Sequence, residues 1–109
     1  MTQVVITFSV VGQFSEWPYF HKYCEKSFSD STGISVGIIS KSIKTDFGTF
    51  PVKFVLLFLG KSVQHNLKPT YRYTVEEILE QGLDTILDKL GRKIMIKIQL
   101  TNRSSNLKV

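Results

Sequence analysis

The stretch from residue 52 to 60, Val-Lys-Phe-Val-Leu-Leu-Phe-Leu-Gly, constrains this chain more than any other. It is apolar at both odd and even positions, and Lys53 is its only charge. Successive side chains of a strand point to opposite faces. A strand of this composition therefore needs cover on both faces and belongs in the interior of a sheet.

The remaining strands are read from alternation. Val4, Ile6, Phe8 and Val10 alternate with Gln3, Thr7 and Ser9, which predicts a first strand over 3–11. Ile34, Val36 and Ile38 alternate with Ser35 and Gly37, predicting a second over 34–43. Asp46, Gly48 and Pro51 then supply turn chemistry for a hairpin into the third, 52–60. Residues 93–100 alternate as well, with Ile94, Ile96, Ile98 and Leu100 against Met95, Lys97 and Gln99, and predict a fourth strand.

Two helices complete the pattern. Ser15 is a candidate N-cap, Pro18 fits a first turn, and Trp17, Phe20, Cys24 and Phe28 recur at helical spacing, so a helix is expected over 16–28. The second is the most completely specified element of the chain. Thr74 and Glu77 form a capping box, with Tyr73 and Ile78 placed as its hydrophobic staple. Ile78, Leu79, Leu83, Ile86, Leu87 and Leu90 form an apolar stripe, and Gly91 stands where a C-terminal stop belongs. A helix over 74–90 follows.

The order β-α-β-β-α-β resembles the ferredoxin-like arrangement: a two-layer α+β sandwich of four antiparallel strands with two helices on one face. Residues 1–100 are expected to form that single domain and 101–109 a polar, frayed tail. The topology alone carries no function, and no stretch matches a motif specific to one family.

Charge is unevenly spread. The net charge of the 109 residues is +5. Residues 74–90 hold five acids against one base, net −4, whereas the rest of the chain holds thirteen bases against four acids, net +9. The chain is expected to be electrically two-sided, which permits contact with nucleic acid, acidic lipid or an acidic protein. A lone cysteine, Cys24, excludes an intrachain disulfide and a cysteine-based zinc cluster, and suits an intracellular, cytoplasmic setting. The longest apolar run is too short to span a bilayer, so a membrane is not expected among the partners.

Candidate chemistry is sparse. His21 and Cys24 lie three apart on the expected first helix, but Cys24 falls on the apolar stripe, where a thiol is usually a small buried hydrophobe. Small RNA-cleaving proteins of the resembled fold typically carry an aspartate at the end of the first strand; here that place reads Val10-Val11-Gly12. No phosphate-cradling loop, nucleophile elbow or zinc spacing occurs. No cofactor, metal site or catalytic residue is expected.

Two surfaces remain. A two-layer fold leaves one sheet face uncovered, and the doubly apolar strand supplies large residues to it, with Phe54, Leu56 and Phe58 as one choice and Val55, Leu57 and Leu59 as the other. A second copy in a homodimer, the 61–73 loop or the tail, or stacked bases would each cover it. The other surface is the acidic face of the second helix, Glu77, Glu80, Asp84 and Asp88. The leading expectation is a small non-enzymatic binding or regulatory protein that acts through protein–protein contact as a homodimer, with Phe54, Leu56, Phe58 and the four acids at the interface. The alternative is a nucleic-acid-binding protein using Lys61, His65, Lys68, Tyr71, Arg72, Arg92, Lys93 and Lys97, where basic and aromatic residues interleave. A metal-independent, nuclease-like enzyme using a histidine is the third.

Overall fold

Strand alternation, helical stripes and two glycines together build the architecture seen in the computed structural model of this chain. It describes residues 3–31, 34–60 and 71–106, with side chains as far as Asn102. In chain order the elements are β1 (Val4–Gly12), a short 3-10 turn (Phe14–Glu16), α1 (Trp17–His21), β2 (Lys26–Ser29), β3 (Ile34–Thr45), β4 (Gly48–Gly60), β5 (Tyr71–Thr74), α2 (Val75–Gln81) and α3 (Leu83–Asn106).

The five strands form one mixed sheet in the order β2-β3-β4-β1-β5. The doubly apolar strand β4 occupies its middle, as its composition requires. β3 and β4 are an antiparallel hairpin closed between Thr45 and Gly48. β1 lies parallel to β4 on one side and to β5 on the other, and β2 adds antiparallel to β3. Ile6, Phe8 and Val10 of β1 and Val52, Phe54, Leu56 and Phe58 of β4 face the helices and form the core with Ile78, Leu83, Ile86, Leu87, Leu90 and Met95. All the described helices pack on this one face.

The expected four-stranded antiparallel ferredoxin-like sheet is therefore corrected to a five-stranded mixed sheet with three helices. Two elements account for the difference. The first expected helix stops at His21, and Lys26–Ser29 pair instead with the outer edge of β3, which places Phe28 on the sheet rather than in a helical stripe. More decisively, residues 93–100 are helical. α3 passes through Gly91 and continues to Asn106, into the segment expected to be a tail.

Gly91 was expected to stop the second helix; the break falls at Gly82. There the backbone takes φ 91°, ψ 137°, a conformation open to glycine and costly for other residues. Gly82 N–H closes α2 on Ile78 O at 2.7 Å, while Gly82 O accepts the first bond of α3 from Ile86 N at 3.1 Å. Gly91, by contrast, is buried inside α3 because the helix passes close over β3 and β4: a Cβ there would lie 2.7 Å from Ile43 and 3.1 Å from Phe54. The N-terminal cap of α2 forms as the sequence specifies. Thr74 Oγ1 accepts from Glu77 N at 3.1 Å, and Glu77 Oε1 accepts from Thr74 N at 3.1 Å.

Candidate functional site

None of the described helices packs on the second face of the sheet. The strand registers order its side chains into rows. One runs from Phe28 through Val36, Leu57 and Ser9 to Arg72; the next from Lys26 through Ile38 and Val55 to Thr7; the third joins Ser40, Lys53 and Val5. Phe28 and Val5 are 60% and 55% exposed, and Val36, Ile38, Val55 and Leu57 are partly exposed between them. Large apolar side chains thus occupy the middle of the face. Lys26, Lys53 and Arg72 stand around them, and Asp30, two residues beyond Phe28, accepts from Ile34 N at 3.1 Å at the edge of the same sheet. An apolar centre with a charged rim is the composition of a protein-binding surface.

The face is not uniformly open. Ser9 and Leu59 are buried on it. Ser9 Oγ has no hydrogen-bond partner among the described residues, a cost of about 1–3 kcal/mol for a buried hydroxyl.

The residues expected at an interface are redistributed. Phe54, Leu56 and Phe58 are fully buried beneath the helices; Phe58 packs against Trp17 and Phe20 with ring centroids 5.5 and 5.4 Å apart. Their outward counterparts are Lys53, Val55 and Leu57. The reason is the hairpin register: it pairs Phe54 with Ile39 and Phe50 with Ile43, so both strands bury one set together. The four acids also differ in role. Glu77 is committed to the α2 cap, Asp84 reaches Lys41 at 3.5 Å, and Asp88 pairs with Arg92 at 2.9 Å. Glu80 is exposed and has no ion-pair partner among the described residues.

The basic set is divided in the same way. Lys61, His65 and Lys68 lie outside the described residues. Arg72 sits on the uncovered sheet face, while its neighbours Tyr71 and Tyr73 turn to the covered one, where Tyr73 meets Phe8 edge-on at 6.0 Å. Tyr71 instead joins α3: Lys93 Nζ lies 5.8 Å from its ring centroid, and Lys97 lines the adjoining groove. Arg92 is held on the hairpin side by Asp88. Tyr71, Lys93 and Lys97 come together, whereas Arg72 and Arg92 point elsewhere. Missing from the sequence reading was β2, and with it the exposed Phe28 and Lys26. The signal was present in the alternation Lys26-Ser27-Phe28-Ser29, which competes with the helical spacing of Phe20, Cys24 and Phe28.

Burial pushes the Cys24 thiol above its ordinary value, and its Sγ donates to Phe20 O at 3.4 Å. This is the pattern of a packed, unreactive thiol. His21 contacts the edge of Trp17 at 6.0 Å, and it touches Cys24 through a backbone bond only. No group of three potential metal ligands occurs among the described residues, and none of their helices is long and apolar enough to cross a membrane. A groove of ≈ 680 Å³ lies beside the second half of α3, floored by Val4, Phe50, Met95 and Ile98 with Gln99 and Asn102 at its rim. In comparisons with known proteins, no protein family, curated protein or solved structure matches this chain.

Proposed function

We propose that this chain is a protein-binding module whose working surface is the uncovered sheet face. The observation that carries the reading is the apolar patch that runs from exposed Phe28 through the partly exposed Val36, Leu57 and Val55 to exposed Val5, with Lys26, Lys53 and Arg72 around it. A contiguous apolar patch with a basic rim suits a partner that brings apolar side chains and carboxylates together. Regulation by occupation of a partner's surface requires no catalytic group, and a surface of Phe28, aliphatic side chains and three cations suits it.

A nucleic-acid reading of this face would draw on the same three cations, of which only Arg72 belongs to the basic set expected from the sequence. Stacking of bases needs exposed aromatic rings beside them, and Phe28 is the single aromatic on this face among the described residues, since Tyr71 and Tyr73 face the core. Protein is the better fit.

The test is capture from the protein's native cell extract, with and without nuclease, by the wild-type chain and by a Phe28→Ser/Val5→Ser variant. Both positions are more than half exposed, so the variant keeps its core. A protein retained through nuclease treatment and lost with the variant is the expected result. Capture that vanishes with nuclease, or that the variant retains in full, overturns the proposal.

A further inference from the structure

We infer that the sheet face takes a second copy of this chain, docked head to tail through the outer side of α2. The inference rests on the reading of the sheet face as a protein-binding surface and names its occupant. On α2, Leu79 is 55% exposed and is flanked by Glu76, three residues earlier, and Glu80. Neither glutamate has an ion-pair partner among the described residues, in contrast to Asp84 with Lys41 and Asp88 with Arg92. The outer side of α2 is thus a leucine between two uncompensated carboxylates. The sheet face is an apolar patch among three cations, Lys26, Lys53 and Arg72, none of which forms an ion pair among the described residues. The two surfaces match in both respects: apolar centre to apolar centre, and acid to base.

The symmetric alternative fares worse. Two sheet faces packed about a twofold axis would bring Lys26, Lys53 and Arg72 of one copy against the same three residues of the other. Like charges brought together at an interface are penalised. Docking α2 onto the sheet replaces that repulsion with attraction, and it relieves the crowding of acids at the start of the helical layer. Because α2 covers β1 and β5 from the helical side, the two surfaces lie on opposite sides of one molecule. A contact between them is heterologous: each copy added leaves one sheet face and one α2 unoccupied, so association continues until a ring closes.

The experiment uses the whole chain in sedimentation velocity at low salt over a range of concentrations, with two charge-neutralised variants. Glu76→Gln/Glu80→Gln removes the two carboxylates beside Leu79, and Lys53→Gln/Arg72→Gln removes two of the three cations of the sheet face; the Thr74–Glu77 cap and the core are untouched in both. The wild type is expected to grow beyond two copies as concentration rises and to dissociate at high salt. Each variant alone should self-associate roughly tenfold more weakly. An equimolar mixture retains one intact pair of surfaces and should form a species of two copies that grows no further. A wild type that stays monomeric at every concentration overturns the inference, and so does one that stops at two copies. If such a monomer still captures a protein through Phe28 and Val5, the sheet-face reading stands without the second copy.

Discussion

Gly91 of α3 lies against Ile43 of β3 so closely that a Cβ at Gly91 would stand 2.7 Å from both Cγ1 and Cδ1 of that isoleucine. The pair sets how near α3 approaches the hairpin. In an exposed helix, alanine in place of glycine adds about 1 kcal/mol of stability. Here the added methyl meets a fully buried side chain, and overpacking of that kind costs about 1–3 kcal/mol.

Gly91→Ala is therefore expected to destabilise the fold by about 1 kcal/mol, against the direction of helix propensity. Urea unfolding of the purified variant measures it. Adding Ile43→Val removes Cδ1 and should return part of the loss, so the double variant is expected to be more stable than the two single effects predict when added. Strict additivity would show that the close contact does not limit the packing.

The second half of α3 makes a sharper prediction. Met95 is 2% exposed and Leu100 is 52% exposed. Were 93–100 a strand with its leucine and isoleucines inward, Leu100 would be buried and Met95 would face out. Met95→Ala is expected to cost about 2–5 kcal/mol, and Leu100→Ala within about 0.5 kcal/mol. Equilibrium denaturation of the two variants side by side gives the comparison, and a reversed order would contradict the helical assignment.

Tyr73 carries the pH dependence at the alkaline end. Burial, then the charge of Glu77 and the neighbouring Tyr71, raise its hydroxyl above the ordinary value of 10.0. The folded chain therefore holds this proton to higher pH than the unfolded chain does. The stability so gained is intact below pH 10.0 and is lost as pH rises through the raised value. Cys24 contributes in the same sense from 9.0 upward. Urea midpoints should be flat with respect to these groups at neutral pH and fall above it. Tyr73→Phe should flatten the part of that fall that begins near 10.0. An unchanged alkaline limb in Tyr73→Phe would assign the fall to other groups.

The candidate surface was half legible in the sequence. The doubly apolar character of 52–60 required large side chains on an uncovered face, and the alternatives Phe54/Leu56/Phe58 and Val55/Leu57/Leu59 were the two it allowed. Which set turns outward depends on hairpin register, because a shift by one residue exchanges the faces of every side chain. The acids of 74–90 were equally visible, but their partners were not. Lys41 is distant in sequence from Asp84, and only the passage of α3 along β3 brings them to 3.5 Å.

Sequence by itself determined the elements whose signals are local: the alternation of β1, the doubly apolar β4, the turn between Thr45 and Gly48, and the Thr74–Glu77 cap with its following stripe. Each is set by interactions within a few residues, so no distant partner had to be known. Tertiary structure decided the rest. Ile94 and Ile98 satisfy a period of two, and with Met95 they also extend the helical stripe of Leu83, Ile86, Leu87 and Leu90. Local preference scarcely separates those outcomes. Burial does, because Gly91 lets the helix run on close over Ile43 and Phe54, and Met95 then enters the core. The place beside β1 is filled at Phe8–Val11 by Tyr71–Thr74 in parallel, and the sheet takes the mixed form that the sequence pattern did not reveal.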